Sequence, residues 1–292
     1  HLLNIFKVFA FNHINVKNSV VEIMSLSFLL IAIFTLLNIN QIDGQNTLNF
    51  DTQSGLDTWN ADSLLSMKII GGTKAKFAST PYQVSVRLNG YHFCGGSIIA
   101  NDVVLTAAHC IFKDQLNNYQ VQYGVDNVGK TANIVKIAKI TTHEKFNKDT
   151  IDYDVAVIKL TAPIRLGVWA KIIPLAKANP PAGANAVVVG WGQTDENGPT
   201  VQQLQSINVK IVAPKVCSQK YKKIDKITDR MICAGVSGGG KGTCGGDSGG
   251  PLAVNGQQVG IVSWGVGCAH PDFPGVYSSV AKLRSWITAH MK

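Results

Sequence analysis

Serine is a weak nucleophile near neutral pH and becomes effective beside a base that is itself held by a third group. Three short stretches supply candidates for those parts. Ser248 lies in Cys244-Gly-Gly-Asp-Ser-Gly-Gly-Pro251, where glycines allow positive φ and let backbone N–H groups approach developing negative charge. His109 lies in Leu105-Thr-Ala-Ala-His-Cys110, beside a cysteine that can pin it, and Asp154 opens Asp154-Val-Ala-Val-Ile-Lys-Leu160 at the mouth of a strand. Taken singly, each has an ordinary explanation: a Gly/Ser loop, a structural histidine, a turn-forming aspartate. Asp152 is a rival carboxylate two residues upstream of Asp154.

The rest of the chain must position these groups. Its 292 residues, 46% of them hydrophobic, suffice for one large or two ordinary domains with a full core, and 28 glycines with sparse helical periodicity lean towards an all-β protein. Val84, Val86 and Leu88 alternate on one face, and Asn89-Gly90 supplies a hairpin turn before Tyr91. Further strands are expected at 103–105, 134–140, 155–160, 186–189, 207–212 and 260–264, with a short helix at 214–221. Leu283, Trp286 and Ile287 recur at helical spacing and predict a C-terminal amphipathic helix that docks on the second of two lobes. The best lobe boundary is the proline-bearing stretch 174–183, giving lobes of about 69–178 and 179–292.

Six cysteines without a CxxC pair, at 94, 110, 217, 233, 244 and 268, favour disulfides in an oxidising compartment over a zinc site. Residues 1–23 read as a fragment or upstream translation before Met24. The apolar run Leu26 to Leu37 makes 24–44 a signal peptide, with a retained anchor as the alternative. Residues 45–68 are polar and acidic, as expected of a pro-segment. The formal charge is +9, and basic residues outnumber acidic ones by 24 to 13 over 69–292. Apart from the cluster Lys220, Lys222, Lys223 and Lys226 the basic residues are scattered, which speaks for a solvated surface rather than a nucleic-acid interface.

In their order and local motifs, His109, Asp154 and Ser248 together resemble the chymotrypsin/trypsin family of serine endopeptidases, over residues 69–292, with an impression of arthropod gut-type proteases. The resemblance implies two antiparallel β-barrels with the active site between them and a C-terminal α-helix. It makes Ser248 the nucleophile, His109 the general base and Asp154, in preference to Asp152, the orienting carboxylate, with the N–H groups of Gly246 and Ser248 as oxyanion donors. It pairs Cys94 with Cys110, Cys217 with Cys233 and Cys244 with Cys268. Cleavage after Lys68 would free the amino group of Ile69 to pair with Asp247, so the chain is expected to be a secreted zymogen. Partners would be protein or peptide substrates, an activating trypsin-like protease and protein inhibitors, with no nucleic acid and, after signal removal, no membrane; the expected state is a monomer. A serine-protease homologue acting only as a binding module is the runner-up.

In trypsin-like members of that family a carboxylate stands two residues before the serine-loop cysteine. Here Gly242 occupies the place. Thr243, Ser263, Trp264, Gly265 and Gly275 complete the expected pocket wall, and its two glycines leave room for a large apolar side chain. A chymotrypsin-like preference is therefore expected, ahead of broad or collagenolytic and then trypsin-like specificity; Lys241 and Asp272 are the charges able to alter it. No cofactor or metal is expected, since 123–139 holds only Asp126 as an acid. No Asn-x-Ser/Thr sequon occurs, so N-glycosylation is not expected.

Overall fold

The structure is a computed structural model that describes residues 71–292. The signal-peptide, pro-segment and Lys68/Ile69 readings lie outside the described residues.

After the short strand β1 (Thr73–Lys74), six strands close an antiparallel barrel: β2 (Gln83–Leu88), β3 (Tyr91–Ala100), β4 (Val103–Thr106), β5 (Tyr119–Tyr123), β6 (Ile134–Thr142) and β7 (Ala156–Leu160). The β2–β3 turn is the expected one. Asn89 and Gly90 both take positive φ, 52° and 85°, as a two-residue hairpin matched to strand twist requires.

A second barrel follows from β8 (Asn185–Gly190), β9 (Gln205–Val212), β10 (Met231–Gly235), β11 (Pro251–Val254), β12 (Gln257–Trp264) and β13 (Gly275–Ser279). Its strands run in the order β9-β10-β13-β12-β11-β8, and the β8–β9 pairing closes the ring; β1 adds to the outer edge of β9. The helices are α1 (Pro214–Tyr221), which begins with proline at its first turn, and α2 (Val280–Ala289), capped by the Ser279 hydroxyl accepting from the Lys282 N–H. Among the described residues no helix is long and apolar enough to cross a membrane.

Two details depart from simple patterning. The polar residues that alternate with Val84 and Val86 on β2 are buried rather than solvated. Most of this burial is matched by partners: Ser85 bonds His92, Arg87 donates to Gln122, Gly90 and Val128, and Gln83 Nε2 donates to the Val84 carbonyl, whereas Gln83 Oε1 and Arg87 Nε have no partner among the described residues. The second departure is α2, which does not dock on the second barrel alone. Val280, Leu283 and Ile287 join one apolar cluster with residues of β4 and β7 as well as Ile261 of β12. Trp286 donates to Glu144, and Lys159 reaches the carbonyl of Met291.

The disulfides pair Cys94 with Cys110, Cys217 with Cys233 and Cys244 with Cys268. Ile158, fully buried on β7 between Val104 and Ile140, measures the first core. Ile158→Ala is expected to cost about 2–5 kcal/mol of unfolding free energy in denaturant titration; a cost under ~1 kcal/mol would contradict this packing.

Candidate active site

The histidine arrives on a tight turn at the end of a buried strand. β4 is wholly buried and runs into a single 3₁₀ turn, Ala108–Cys110, whose small residues let the backbone lie against the core. Disulfide Cys94–Cys110 ties that turn to β3. His109 keeps about a quarter of its side chain exposed, while Asp154, two residues before β7, is completely buried.

Four donors secure Asp154. The His109 N–H donates to Oδ1 at 2.9 Å, and His109 Nδ1 stands 2.7 Å from Oδ2. The Ser263 hydroxyl donates to the same Oδ2 at 2.5 Å, and Ser278 donates to the Asp154 backbone carbonyl at 2.7 Å. Because a carboxylate only accepts, Nδ1 carries the proton and Nε2 is left as the free acceptor of the neutral ring. Ser263, expected in the pocket wall, therefore has a second task as a partner of Asp154. Asp152 is engaged elsewhere, by Arg230 and Thr228.

Ser248 sits in a loop fastened to both barrels. Its carbonyl accepts from Gly95 N–H at 2.8 Å, and Gly249 N–H donates to Val262 at 2.8 Å. Gly249 has φ 79°, and a Cβ there would stand 2.1 Å from Thr106 Oγ1. Only glycine lets the serine loop come this close to the strand carrying the histidine turn. The Ser248 hydroxyl itself has no hydrogen-bond partner among the described residues, and His109 Nε2 lies 3.8 Å from Cys110 Sγ. The structure thus brings His109 and Asp154 into direct contact, and it fastens the Ser248 loop, through Gly249, against Thr106 at the end of the strand that leads into the histidine turn. The N–H groups of Gly246 and Ser248 likewise donate to no protein acceptor among the described residues. His109 also clusters with Cys94 and Cys110, but both sulfurs are consumed by their disulfide and cannot serve as thiolate ligands.

Ser248 borders a cavity of about 550 Å³ whose lining includes Gly242, Thr243, Ser263, Trp264, Gly265 and Gly275, all six of the expected pocket residues. Asp272 is the only carboxylate in that lining; it is exposed, as are Lys210, Lys220 and Lys241, which also border the cavity.

Beneath the serine loop, Asp247 is fully buried. Its oxygens accept from Gly192 N–H at 2.9 Å and Cys244 N–H at 3.0 Å, and no cation pairs with it among the described residues. Burial pushes its carboxyl up to about 7 despite those two bonds. Gly190 and Gly192 shape the space: a Cβ on either would stand 2.2 or 2.4 Å from the carboxyl group. The Gly190-Trp191-Gly192 run at the end of β8 is the sequence signal for this cradle, one without a local chemical signature.

His92 was also missed, because one histidine in a strand has no local signature. Burial holds it down, at about 4; the bond to Gly246 opposes this and the Arg87 charge adds to it. The neutral ring has one N–H, and Nε2 lies 3.0 Å from the Gly246 carbonyl, so Nε2 donates there and Nδ1 accepts from Ser85 Oγ at 2.8 Å.

Comparison with known proteins identifies the arrangement. The sequence model of the family described as Trypsin matches residues 69–287. Hypodermin-B of Hypoderma lineatum is 44% identical over 230 residues, covering 78% of this chain and 89% of that protein. A vitellin-degrading protease of Bombyx mori is 38% identical over 223 residues, covering 76% and 84%, and trypsin beta of Drosophila erecta is 42% identical over 225 residues, covering 76% and 88%.

The depressed His92 implies a pH test with a definite sign. Its contribution to stability is present above the unfolded value near 6.5 and is lost as pH falls through about 4. His92→Phe, which cannot ionise, is expected to be less stable than the parent at pH 7, and the gap in unfolding free energy should narrow between pH 6.5 and 4. A gap independent of pH would remove the assignment.

Proposed function

The chain belongs to the trypsin family of serine endopeptidases, and from that premise we propose that it hydrolyses peptide bonds through an acyl-enzyme formed on Ser248. Ser248 Oγ attacks the scissile carbonyl carbon while His109 Nε2 takes the hydroxyl proton, and the carbonyl π electrons move onto oxygen. That oxyanion is met by the N–H groups of Gly246 and Ser248. Collapse expels the amine, which takes the proton back from His109, and water repeats the sequence to release the acid. Asp154 keeps the imidazole proton on Nδ1 and faces the imidazolium when it forms. The observation that carries the reading is the buried Asp154 with its bond to His109 Nδ1, beside a serine whose loop leaves two N–H groups free. That the Ser248 hydroxyl has no partner among the described residues accords with it, since catalytic hydrogen bonds often close only with substrate bound.

For the residue before the scissile bond, the preferred side chain is large and apolar. Gly242 puts no charge at the pocket floor, and Lys210, Lys220 and Lys241 outnumber the exposed Asp272 around the cavity. A basic preference is the second reading, favoured by relatives that carry the name trypsin and by Asp272 itself. Peptides differing only at that residue decide between them. Phe, Tyr or Leu is expected to exceed Arg and Lys in kcat/KM, and the reverse order would sink the apolar reading. In the same assay Ser248→Ala should lose hydrolysis and fluorophosphonate labelling together.

Secretion and activation complete the proposal, with 24–44 as signal peptide, 45–68 as pro-segment and 69–292 as the catalytic domain, acting on extracellular protein. Cleavage after Lys68 frees Ile69, whose ammonium would supply the cation that buried Asp247 lacks among the described residues. An uncompensated buried carboxylate is costly, so the uncleaved chain should hold its oxyanion turn poorly. Asp247→Asn, fully cleaved at Lys68, is expected to lose most of its activity; full activity would remove this part.

A further inference from the structure

Asp154 is reached through a backbone that ordinary residues rarely adopt. Ile151 has φ 49° and Tyr153 has φ 55°, both in the left-handed region, and Ile151 is β-branched. Two such residues in the three that precede Asp154 must be held from outside.

Arg230, directly before β10 of the second barrel, is placed to hold them. Its Nη2 lies 2.5 Å from Asp152 Oδ2, and its Nε lies 3.0 and 3.2 Å from the two carboxylate oxygens. The guanidinium carbon stands 4.3 Å from the centre of the Tyr153 ring. Asp152 is held further by the Thr228 hydroxyl at 3.0 Å and its own neighbour's N–H at 2.8 Å. On its inner side Tyr153 meets the His143 ring, with centroids 4.6 Å apart. Arg230 is itself fixed, since its carbonyl accepts from Ser279 N–H at 2.7 Å, one residue after the serine that holds the Asp154 carbonyl. One cation thus grips Asp152, which lies between the two left-handed residues, and Tyr153, the second of them, directly before Asp154.

We propose that Arg230 is a positioning residue: by clamping Asp152 and Tyr153 it keeps the strained 151–153 turn in place and so holds Asp154 against His109 across the barrel junction. The proposal rests on the reading of Asp154 as the group that orients His109. Releasing the clamp lets the turn relax towards negative φ and shifts the Asp154 Cα. Residues 151–154 and Arg230 do not themselves line the cavity bordered by Gly242 and Gly275, so the loss falls mainly on turnover rather than on binding.

The test uses the cleaved enzyme, with kcat expressed per active site titrated by a fluorophosphonate. Arg230→Met keeps the stem over Tyr153 and removes the fork. It is expected to lower kcat about 10- to 100-fold, as small misplacements of catalytic groups do, with KM changed less than about threefold. Arg230→Lys, which keeps the charge, should recover part of the loss. Asp152→Asn combined with Arg230→Met should lose no more than the worse single variant. Ile151→Gly, which accepts positive φ without cost, should recover part of kcat in the Arg230→Met background, an effect that loss of a merely structural ion pair would not produce. Unchanged kcat per titrated site, a loss confined to the titratable fraction, or a loss expressed in KM would each overturn the proposal. Retained hydrolysis by Ser248→Ala would instead overturn the nucleophile assignment, so the two failures are distinguishable.

Discussion

A carboxylate removed from water must find donors or lose its charge, and the organisation of this site follows from meeting that need at Asp154. The donors come from both barrels. The first contributes the His109 backbone and ring; the second contributes the Ser263 hydroxyl on β12 and, at the Asp154 carbonyl, the Ser278 hydroxyl on β13. Satisfying one buried anion thereby sets the relative placement of a histidine turn on one barrel and a pocket wall on the other. Ser263 makes the link concrete, because the same residue bonds Asp154 and lines the cavity beside Ser248. The serine loop is brought to the same place independently, through Gly95 of β3 and the close approach that Gly249 permits to Thr106.

Asp247 shows the opposite balance a few residues away. It too is fully buried, yet it has two backbone donors and no hydroxyl or cation among the described residues, and burial lifts it to about 7. Ionising it near neutral pH works against the fold, whereas the Asp154 carboxyl is met by three well-directed donors. Two aspartates of equal burial thus serve different ends. The satisfied one is a fixed part of the scaffold. The other, in the proposed activation, is the group that a cation reaching the glycine cradle at Gly190 and Gly192 would satisfy.

The sequence was most informative where chemistry is local. Asn89-Gly90 specified a turn because both positions need positive φ, and the three stretches around His109, Asp154 and Ser248 carried the family resemblance because each is a short run whose neighbours are part of its geometry. It was less informative where meaning depends on a distant partner. Nothing beside His92 tells that Gly246, 154 residues away, will accept its proton, and nothing beside Asp152 tells that Arg230 will pair with it. Helix α2 is a similar case. Its apolar spacing gave the helix, but the surface it covers is shared by the two barrels, and that sharing follows from closure of both sheets rather than from any pattern within 280–289.

At the proposed floor of this cavity, backbone packing constrains what residue 242 can be as much as side-chain chemistry does. Gly242 packs so closely on the chain after Cys268 that an added Cβ would lie 2.8 Å from Ala269 Cα and 2.9 Å from its N. Backbone cannot retreat as a flexible side chain can, and Cys244–Cys268 holds the two segments together. An acid at position 242 therefore needs more than one substitution, since the 268–272 loop would have to move outward first. The absence of floor charge and the close approach of Ala269 are two consequences of one glycine, and a change towards basic side chains would have to alter the wall and the floor together.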